Sequence, residues 1–286
     1  MIAPPRSVGR SGWAVLLCVL LSACSSLGYR DAGEELASFK ALNTNSQVRY
    51  GPGGEAYARQ VAPLIGDAVR QIEAFHGRAF RTPPVVHVCG DDACFHRFVH
   101  AKWHFTAAVV YDNRLLLAPR LFTREPGRLR PILIHELSHL HMGQYRGHYT
   151  MSIPVWFHEG LASLAADGGG ADLVSDDEAW RAAQTSKHFQ ADEQHLPWQR
   201  RHAQSWGLSI SVFYRQSMLF LAHLRARDPQ QFVLLLNRLQ DGMDFDEAFA
   251  STYQANPNRL ARAFFGCADD RLSVDHPLCQ LPNPGL

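Results

Sequence analysis

Apolar residues recur every three or four positions through most of this chain, which is the period of an α-helix. After residue 170 this spacing, with Gly, Pro or Asp at the boundaries, predicts helices at 175–186, 209–226, 229–240, 245–252 and 257–266. The same period runs from Glu55 to Phe80 and predicts one helix there. We therefore expect residues 171–286 to be a mainly helical part.

Strand-like segments interrupt this pattern before residue 120. Val85–Val88 follows two prolines and predicts a short strand. Residues 107–111 and 115–118 flank a turn at Asp112-Asn113 and predict a hairpin. Helices on a small mixed β-sheet make the expected fold class α+β.

One predicted helix carries the segment His135-Glu136-Leu137-Ser138-His139. Residues four apart lie on one face of a helix, so His135 and His139 can bind one cation. Glu136 borders the same space without needing to be a ligand, which suits a general base. The residues favour a catalytic Zn²⁺ site of three protein ligands and one position open to water.

A second apolar helix supplies the third ligand. Pro154 predicts its start, the glycines at 168–170 follow its end, and Glu159 lies twenty positions after His139. A carboxylate in so apolar a stretch is costly unless it is exposed, paired or bound to metal. We take Glu159 as the ligand; His158 as ligand, or a solvent-facing Glu159, are the alternatives.

These residues resemble the gluzincin metallopeptidases, in particular the peptidase MA-like group, whose second helix commonly reads Pro-x-Trp-hydrophobic-x-Glu-Gly-Leu-Ala. The resemblance covers residues 131–166, and more loosely 214–217 and 245–249. It implies a zincin-like fold, with a cleft between the sheet-bearing part and the helical part, and hydrolysis of a peptide bond by zinc-activated water. An edge strand beside the cleft pairs with extended peptide in such folds, so the hairpin is the candidate for binding substrate backbone by strand addition, and ordinary sheet structure is the alternative. It also implies a tyrosine from a later helix that hydrogen-bonds the tetrahedral intermediate.

Differences between this sequence and related metallopeptidase groups narrow the choice of subclass. Met142 and Tyr145 stand where metzincins have Gly and His, and Ser163 stands where thermolysin-like enzymes have an Asp that orients the first histidine. Asp167 is a weak substitute for that Asp. The Gly-x-Met-Glu-Asn element of related aminopeptidases is absent before His135, so we favour an endopeptidase.

Tyr214 is the candidate for the implied tyrosine. It lies on an apolar helix, where its hydroxyl either donates to an oxyanion or is a satisfied core group. His202 is an alternative donor, although it lies in a basic segment typical of solvated loops.

The amino terminus resembles a bacterial lipoprotein signal. Arg6 and Arg10 precede an apolar run that ends in Leu21-Ser22-Ala23-Cys24. We expect residues 1–23 to be removed and Cys24 to be acylated, which anchors the protein to the lipid bilayer. Ser25 resembles the sorting signal for the outer membrane, facing the periplasm.

Cysteine usage is consistent with export. Four cysteines remain after Cys18 and Cys24 are set aside, and sequence proximity favours Cys89 with Cys94 and Cys267 with Cys279. A zinc knuckle at the Cys89–Cys94 pair is the alternative, without a second ligand pair at matching spacing.

Charge and length bound the remaining possibilities. Without residues 1–23 the chain has 26 basic against 27 acidic residues, and no basic stripe supports nucleic-acid binding. We expect a signal peptide (1–23), a lipidated tether (24–54), a catalytic part (55–170) and the helical part (171–286). The partner is then a protein or peptide substrate, and the rival function is a non-catalytic envelope binding protein or chaperone with a structural zinc site.

Overall fold

The described residues form a five-stranded mixed β-sheet and a larger set of helices. The structure is a computed structural model that describes residues 33–101, 104–111, 114–191 and 200–266. Its strands are β1 (Lys40–Leu42), β2 (Asn45–Tyr50), β3 (Val85–Val88), β4 (Ala108–Tyr111) and β5 (Arg114–Leu117). This α+β architecture confirms the expected fold class.

The sheet has the strand order β1-β2-β3-β5-β4, so β4 is an edge strand. β2, β3 and β5 run parallel, while β1 and β4 each pair antiparallel with their neighbour. Val86 on β3 lies opposite Val48 on one side and Leu115 on the other, and all three are fully buried. The predicted strand at 85–88 and the predicted hairpin are both confirmed.

Helices account for most of the described residues. They are α1 (33–37), α2 (Glu55–Val61), α3 (Ile65–His76), α4 (Asp92–Phe98), α5 (Arg120–Thr123), α6 (Leu129–Arg146), α7 (Val155–Ala165), α8 (Asp176–Gln184), α9 (Ile210–Arg227), α10 (Pro229–Gln240), α11 (Phe245–Tyr253) and α12 (Pro257–Gly266). The five helices predicted after residue 170 are confirmed by α8 to α12. Local signals explain their starts, because Ser175, Ser209, Asp228 and Asp244 each accept a hydrogen bond from the first turn.

Two expectations about the first part of the chain were wrong. Residues 40–50, expected in the tether, form β1 and β2, so the folded part begins before Glu55. The single helix expected from Glu55 to Phe80 is two helices, because the chain turns at 62–64, where Pro63 interrupts the helical hydrogen bonds.

Helix α7 lies between two hydrophobic clusters. Trp156 and Phe157 pack into the cluster of the helical part, whereas Ala165 and Ala166 pack into the cluster beneath the sheet and α6. At Gly160 the helix passes so close to α9 that an added Cβ would lie 2.7 Å from the Ser217 carbonyl oxygen. Glu159 is therefore held by a tightly packed helix.

The carboxyl end of α6 is fastened to the helical part. The buried Arg146 guanidinium donates hydrogen bonds to the carbonyl oxygens of Leu239 (2.8 Å) and Met243 (2.7 Å). None of the helices in the described residues is both long enough and apolar enough to cross a membrane.

Candidate metal centre

Helix α6 presents His135 and His139 on one face. Leu133, Leu137 and Leu140 lie along its buried side, as the apolar spacing predicts. This burial fixes the rotation of the helix about its axis, so both imidazoles point toward α7.

The three predicted ligands converge on one point. His135 Nε2 lies 3.1 Å from His139 Nε2 and 3.3 Å from Glu159 Oε2, and His139 Nε2 lies 3.4 Å from the same oxygen. Zinc bonds of about 2.0–2.2 Å at tetrahedral angles place neighbouring donors roughly 3.3–3.5 Å apart. Two sides of the observed triangle, 3.3 and 3.4 Å, fall in this range and the third, 3.1 Å, is slightly shorter, so the triangle is close to the size that a tetrahedral Zn²⁺ requires.

A backbone carbonyl orients the first histidine. His135 Nδ1–H donates to the Gly169 carbonyl oxygen at 2.9 Å, which leaves Nε2 free to bind a cation. Gly168 and Gly170 have φ of 97° and 83°, and a Cβ on Gly170 would lie 2.5 Å from His135 Nδ1. The glycine run lets the main chain approach this ring closely.

A third histidine orients the second. His139 Nδ1 lies 3.3 Å from His158 Nε2, and the two rings are 4.1 Å apart. Burial, and then the neighbouring His139, hold the pKa of His158 well below its ordinary value, so His158 is neutral and can accept the proton that His139 Nδ1 shares. His158, the alternative candidate ligand, thus lies beside His139 as its hydrogen-bond partner.

The electrostatics of the triangle keep Glu159 ionised. Burial alone would raise the pKa of Glu159, but His139 and His135 outweigh it and hold that pKa well below the usual range. For His135, burial lowers the pKa, while Glu159 and Glu136 raise it above the ordinary value. A carboxylate and two imidazoles drawn together in this way form a strong donor set for a divalent cation.

Glu136 borders this triangle without belonging to it. It lines the same cleft, and burial, with a further contribution from Glu159, raises its pKa above the ordinary value. A carboxyl group whose pKa is shifted toward neutrality is suited to accept and return a proton.

Tyr214 extends from α9 into the cleft. Its ring stacks 6.3 Å from that of His135. Burial, followed by the charge of Glu159 and a hydrogen bond to that carboxylate, raises the pKa of Tyr214 well above its ordinary value. The hydroxyl consequently stays protonated and remains a hydrogen-bond donor beside the ligands.

The cleft has a volume of about 440 Å³. Phe105 to Ala108 and Val110, at the edge strand, contribute to its lining. The lining of the cleft also includes Arg200, which no sequence motif predicted, and His202, the alternative donor. A basic loop before α9 therefore reaches the site. Its sequence did not predict this position, because a basic segment of this kind is typical of a solvated loop.

The other sequence-based candidates lie elsewhere or outside the described residues. Asp167 accepts a hydrogen bond from Gln71, and His135 Nδ1 is bonded to the Gly169 carbonyl oxygen instead, so the suggested role of Asp167 as the partner of His135 was wrong. Cys89 and Cys94 form the predicted disulfide, with an S–S distance of 2.02 Å, which excludes the zinc knuckle. Cys24, Cys267 and Cys279 lie outside the described residues.

Comparisons with known proteins add no assignment to this geometry. Neither the protein-family models nor the curated proteins give a match to the chain. The chemical interpretation consequently depends on the residues of the site.

Proposed function

We propose that this chain is a zinc-dependent metallopeptidase of the gluzincin type, with a zincin-like fold, acting as an endopeptidase in the bacterial cell envelope. The observation that carries the proposal is the triangle of donor atoms from His135, His139 and Glu159, with sides of 3.1, 3.3 and 3.4 Å. Two imidazoles and one carboxylate are the ligand set of many catalytic zinc sites.

The surroundings of the triangle support a bound cation. Each histidine has its Nδ1 engaged, by the Gly169 carbonyl or by His158, so both Nε2 atoms are available as ligands. When bound, Zn²⁺ supplies a Lewis acid that polarises a carbonyl and lowers the pKa of water.

Two further side chains have separate tasks in this proposal. Glu136 takes a proton from the attacking water at its carboxylate and later gives it to the leaving amine. Tyr214 donates its hydroxyl hydrogen bond to the oxygen on which negative charge develops. Both groups line the same cleft as the ligand atoms; burial raises the pKa of Glu136, which favours its uptake of the water proton, and keeps the Tyr214 hydroxyl protonated.

A peptide fits the cleft as an extended chain. β4 is an edge strand, and residues of its segment line the cleft beside the ligands. The free main-chain groups of an edge strand can pair with substrate backbone by strand addition. The edge strand beside the cleft therefore supports a protein or peptide substrate.

The location forms part of the proposal. The signal-like segment ending at Cys24 supports lipid anchoring, most simply at the outer membrane and facing the periplasm. Envelope proteins are then the proposed substrates, ahead of peptidoglycan cross-link peptides. The disulfide between Cys89 and Cys94 fits an oxidising compartment.

The decisive experiment separates metal binding from catalysis. Mature protein from residue 25 onward is purified, its zinc content measured, and its cleavage of unfolded proteins compared with that of Glu136→Gln and His139→Ala. We expect Glu136→Gln to retain one zinc per chain and lose cleavage, and His139→Ala to lose both. Zinc binding without cleavage by the wild-type protein, against a broad range of substrates, would instead favour a non-catalytic binding protein or chaperone.

A further inference from the structure

Arg200 brings a positive charge into the cleft, next to Glu159 and Tyr214. Its Nη1 atom lies 3.2 Å from the sulfur of Met151, which is a weak acceptor. Its Nε atom is buried and has no hydrogen-bond partner among the described residues. A guanidinium offers five donors, and among the described residues the sulfur of Met151 is the acceptor that Arg200 contacts.

The other two arginines of the cleft are neutralised. Arg128 pairs with Asp172 at 2.6 Å and with Glu125 at 2.5 Å, and Arg120 lies 3.7 Å from Glu125. No carboxylate in the described ranges lies within ion-pair distance of Arg200. Within the described ranges, Arg200 is thus the cleft arginine without a paired carboxylate.

The charged groups of the site have one excess positive charge that a bound anion would balance. In the proposed function, Glu159 and Glu136 balance the bound dication. Among the described residues that line the cleft, one positive charge, that of Arg200, is then in excess. Electrostatic complementarity favours a substrate group with one negative charge at this place.

We propose that Arg200 binds a carboxylate of the substrate beside the scissile bond, so that the protein selects peptides with an acidic group at that position. This inference rests on the proposed function and names its substrate class. The planar fork of a guanidinium matches both oxygens of a carboxylate, which makes the pair selective as well as strong. The carboxylate belongs either to an Asp or Glu side chain or to a free C-terminus.

The test measures binding without turnover. Zinc-loaded Glu136→Gln protein is titrated with peptides that share one neutral core and an acetylated amino terminus. One peptide has Glu and an amidated end, one has Gln and an amidated end, one has Gln and a free C-terminal carboxylate, and one has Lys and an amidated end. The variable residue is moved through each position of the core, so that the two sources of the carboxylate are told apart.

We expect the best carboxylate-bearing peptide to bind about 10- to 100-fold more tightly than its neutral counterpart. Adding Arg200→Gln should abolish that preference, and adding Arg200→Lys should retain part of it because the charge remains without the fork. Arg200→Glu should invert the preference toward the lysine peptide, which a purely structural role would not do. Arg201→Gln is the matched control, because Arg201 is exposed and does not line the cleft.

Equal binding of acidic and neutral peptides would overturn the inference. So would an Arg200→Gln effect of the same size on every peptide, which would indicate an arginine that binds a backbone carbonyl. Zinc content and the thermal midpoint are recorded for each variant, and if Arg200→Gln does not fold, Arg200→Lys and Arg200→Glu carry the comparison.

Cleavage of the same peptides by the wild-type protein separates the two proposals. Preferential binding that depends on Arg200, without cleavage, would remove the peptidase function and leave the carboxylate site standing. Cleavage without any preference for a carboxylate would support the peptidase function and remove the carboxylate site.

Discussion

His135 and Gly169 are joined by a 2.9 Å hydrogen bond from the imidazole Nδ1 to a main-chain oxygen. Many metal-binding histidines use a carboxylate side chain for this purpose, whereas here a loop carbonyl sets the orientation of the ring. The contact depends on close approach by the glycine run, so the loop becomes part of the candidate metal centre.

Gly170→Ala should therefore weaken zinc binding. Its Cβ would lie 2.5 Å from His135 Nδ1, and the φ of 83° disfavours any residue with a side chain. Since disturbing an outer partner of a ligand typically costs about 10- to 100-fold in metal affinity, we expect a loss of that size in a chelator competition titration.

Gly143→Ala is the control for this substitution. Gly143 also lies on α6, and an added Cβ there would meet nothing within 4 Å. We expect unchanged zinc affinity and a free energy of unfolding raised by about 0.5–1 kcal/mol, because alanine favours helix. Equal zinc affinities in the two variants would contradict the role assigned to the loop.

His158→Phe should lower zinc affinity without removing a ligand. The substitution deletes the nitrogen that lies 3.3 Å from His139 Nδ1, so the ring of His139 loses its orienting partner. We expect a loss of about 10-fold or more, with one zinc per chain still bound at saturation. His158→Gln keeps an acceptor and should retain more affinity; a stoichiometry of zero in His158→Phe would mean that His158 is itself a ligand.

Tyr214→Phe should reduce catalysis and spare the metal. Loss of one donor to a developing oxyanion costs about 100- to 1000-fold in kcat, and we expect KM and zinc content to change little. Steady-state kinetics on one peptide measure this. Tyr253→Phe is the matched control, because the Tyr253 hydroxyl has no hydrogen-bond partner in the described part of the chain and does not line the cleft; a similar kcat in both variants would leave Tyr214 as a packing residue.

Gly160→Ala should destabilise the protein at the crossing of α7 and α9. The new Cβ would lie 2.7 Å from the Ser217 carbonyl oxygen, so the two helices must separate. Overpacking of this kind costs about 1–3 kcal/mol in the free energy of unfolding, which urea denaturation measures. Gly66→Ala, whose Cβ would meet Arg70 at an ordinary 3.6 Å, should not destabilise the protein.

Stability should fall between pH 6.5 and pH 4. Burial, with nearby arginines adding to it, lowers the pKa of both His87 and His223 from 6.5 to about 4. The unfolded chain binds these two protons near pH 6.5 while the folded chain does not, so this part of the stability is present above pH 6.5 and is lost as the pH falls toward 4.

We expect each of these histidines to account for about 2 kcal/mol of the difference in unfolding free energy between pH 7 and pH 5. His87→Gln and His223→Gln should each remove that share, as measured by urea denaturation of metal-free protein. His148→Gln, at an exposed position, is the control. A pH dependence identical in all variants would contradict the prediction.

The convergence of the candidate ligands was predictable because their geometry is local. A spacing of four residues on a helix with a buried leucine stripe places His135 and His139 together whatever the remaining chain does. Glu159 followed from the cost of a carboxylate on an apolar helix. The long amphipathic helices after residue 170 were predictable for the same reason, since their apolar period extends over several turns.

The orienting groups were not predictable in this way. The Gly169 carbonyl carries no residue-type signal, and Arg200 reaches the cleft only because of the path of the chain. β1 and β2 escaped prediction because a single residue of β2, Val48, is fully buried, so the strand shows no apolar alternation.

The bonds from Arg146 to two carbonyl oxygens have a consequence for cooperativity. Arg146 links the end of α6, the helix that carries both histidines, to α10 and to the turn at Met243. Both acceptors are main-chain carbonyl oxygens, so no side-chain substitution at Leu239 or Met243 removes them. Unfolding of the helices after residue 170 should therefore displace His135 and His139. We expect heating of the zinc-loaded protein to release the metal and unfold the C-terminal half in one calorimetric transition.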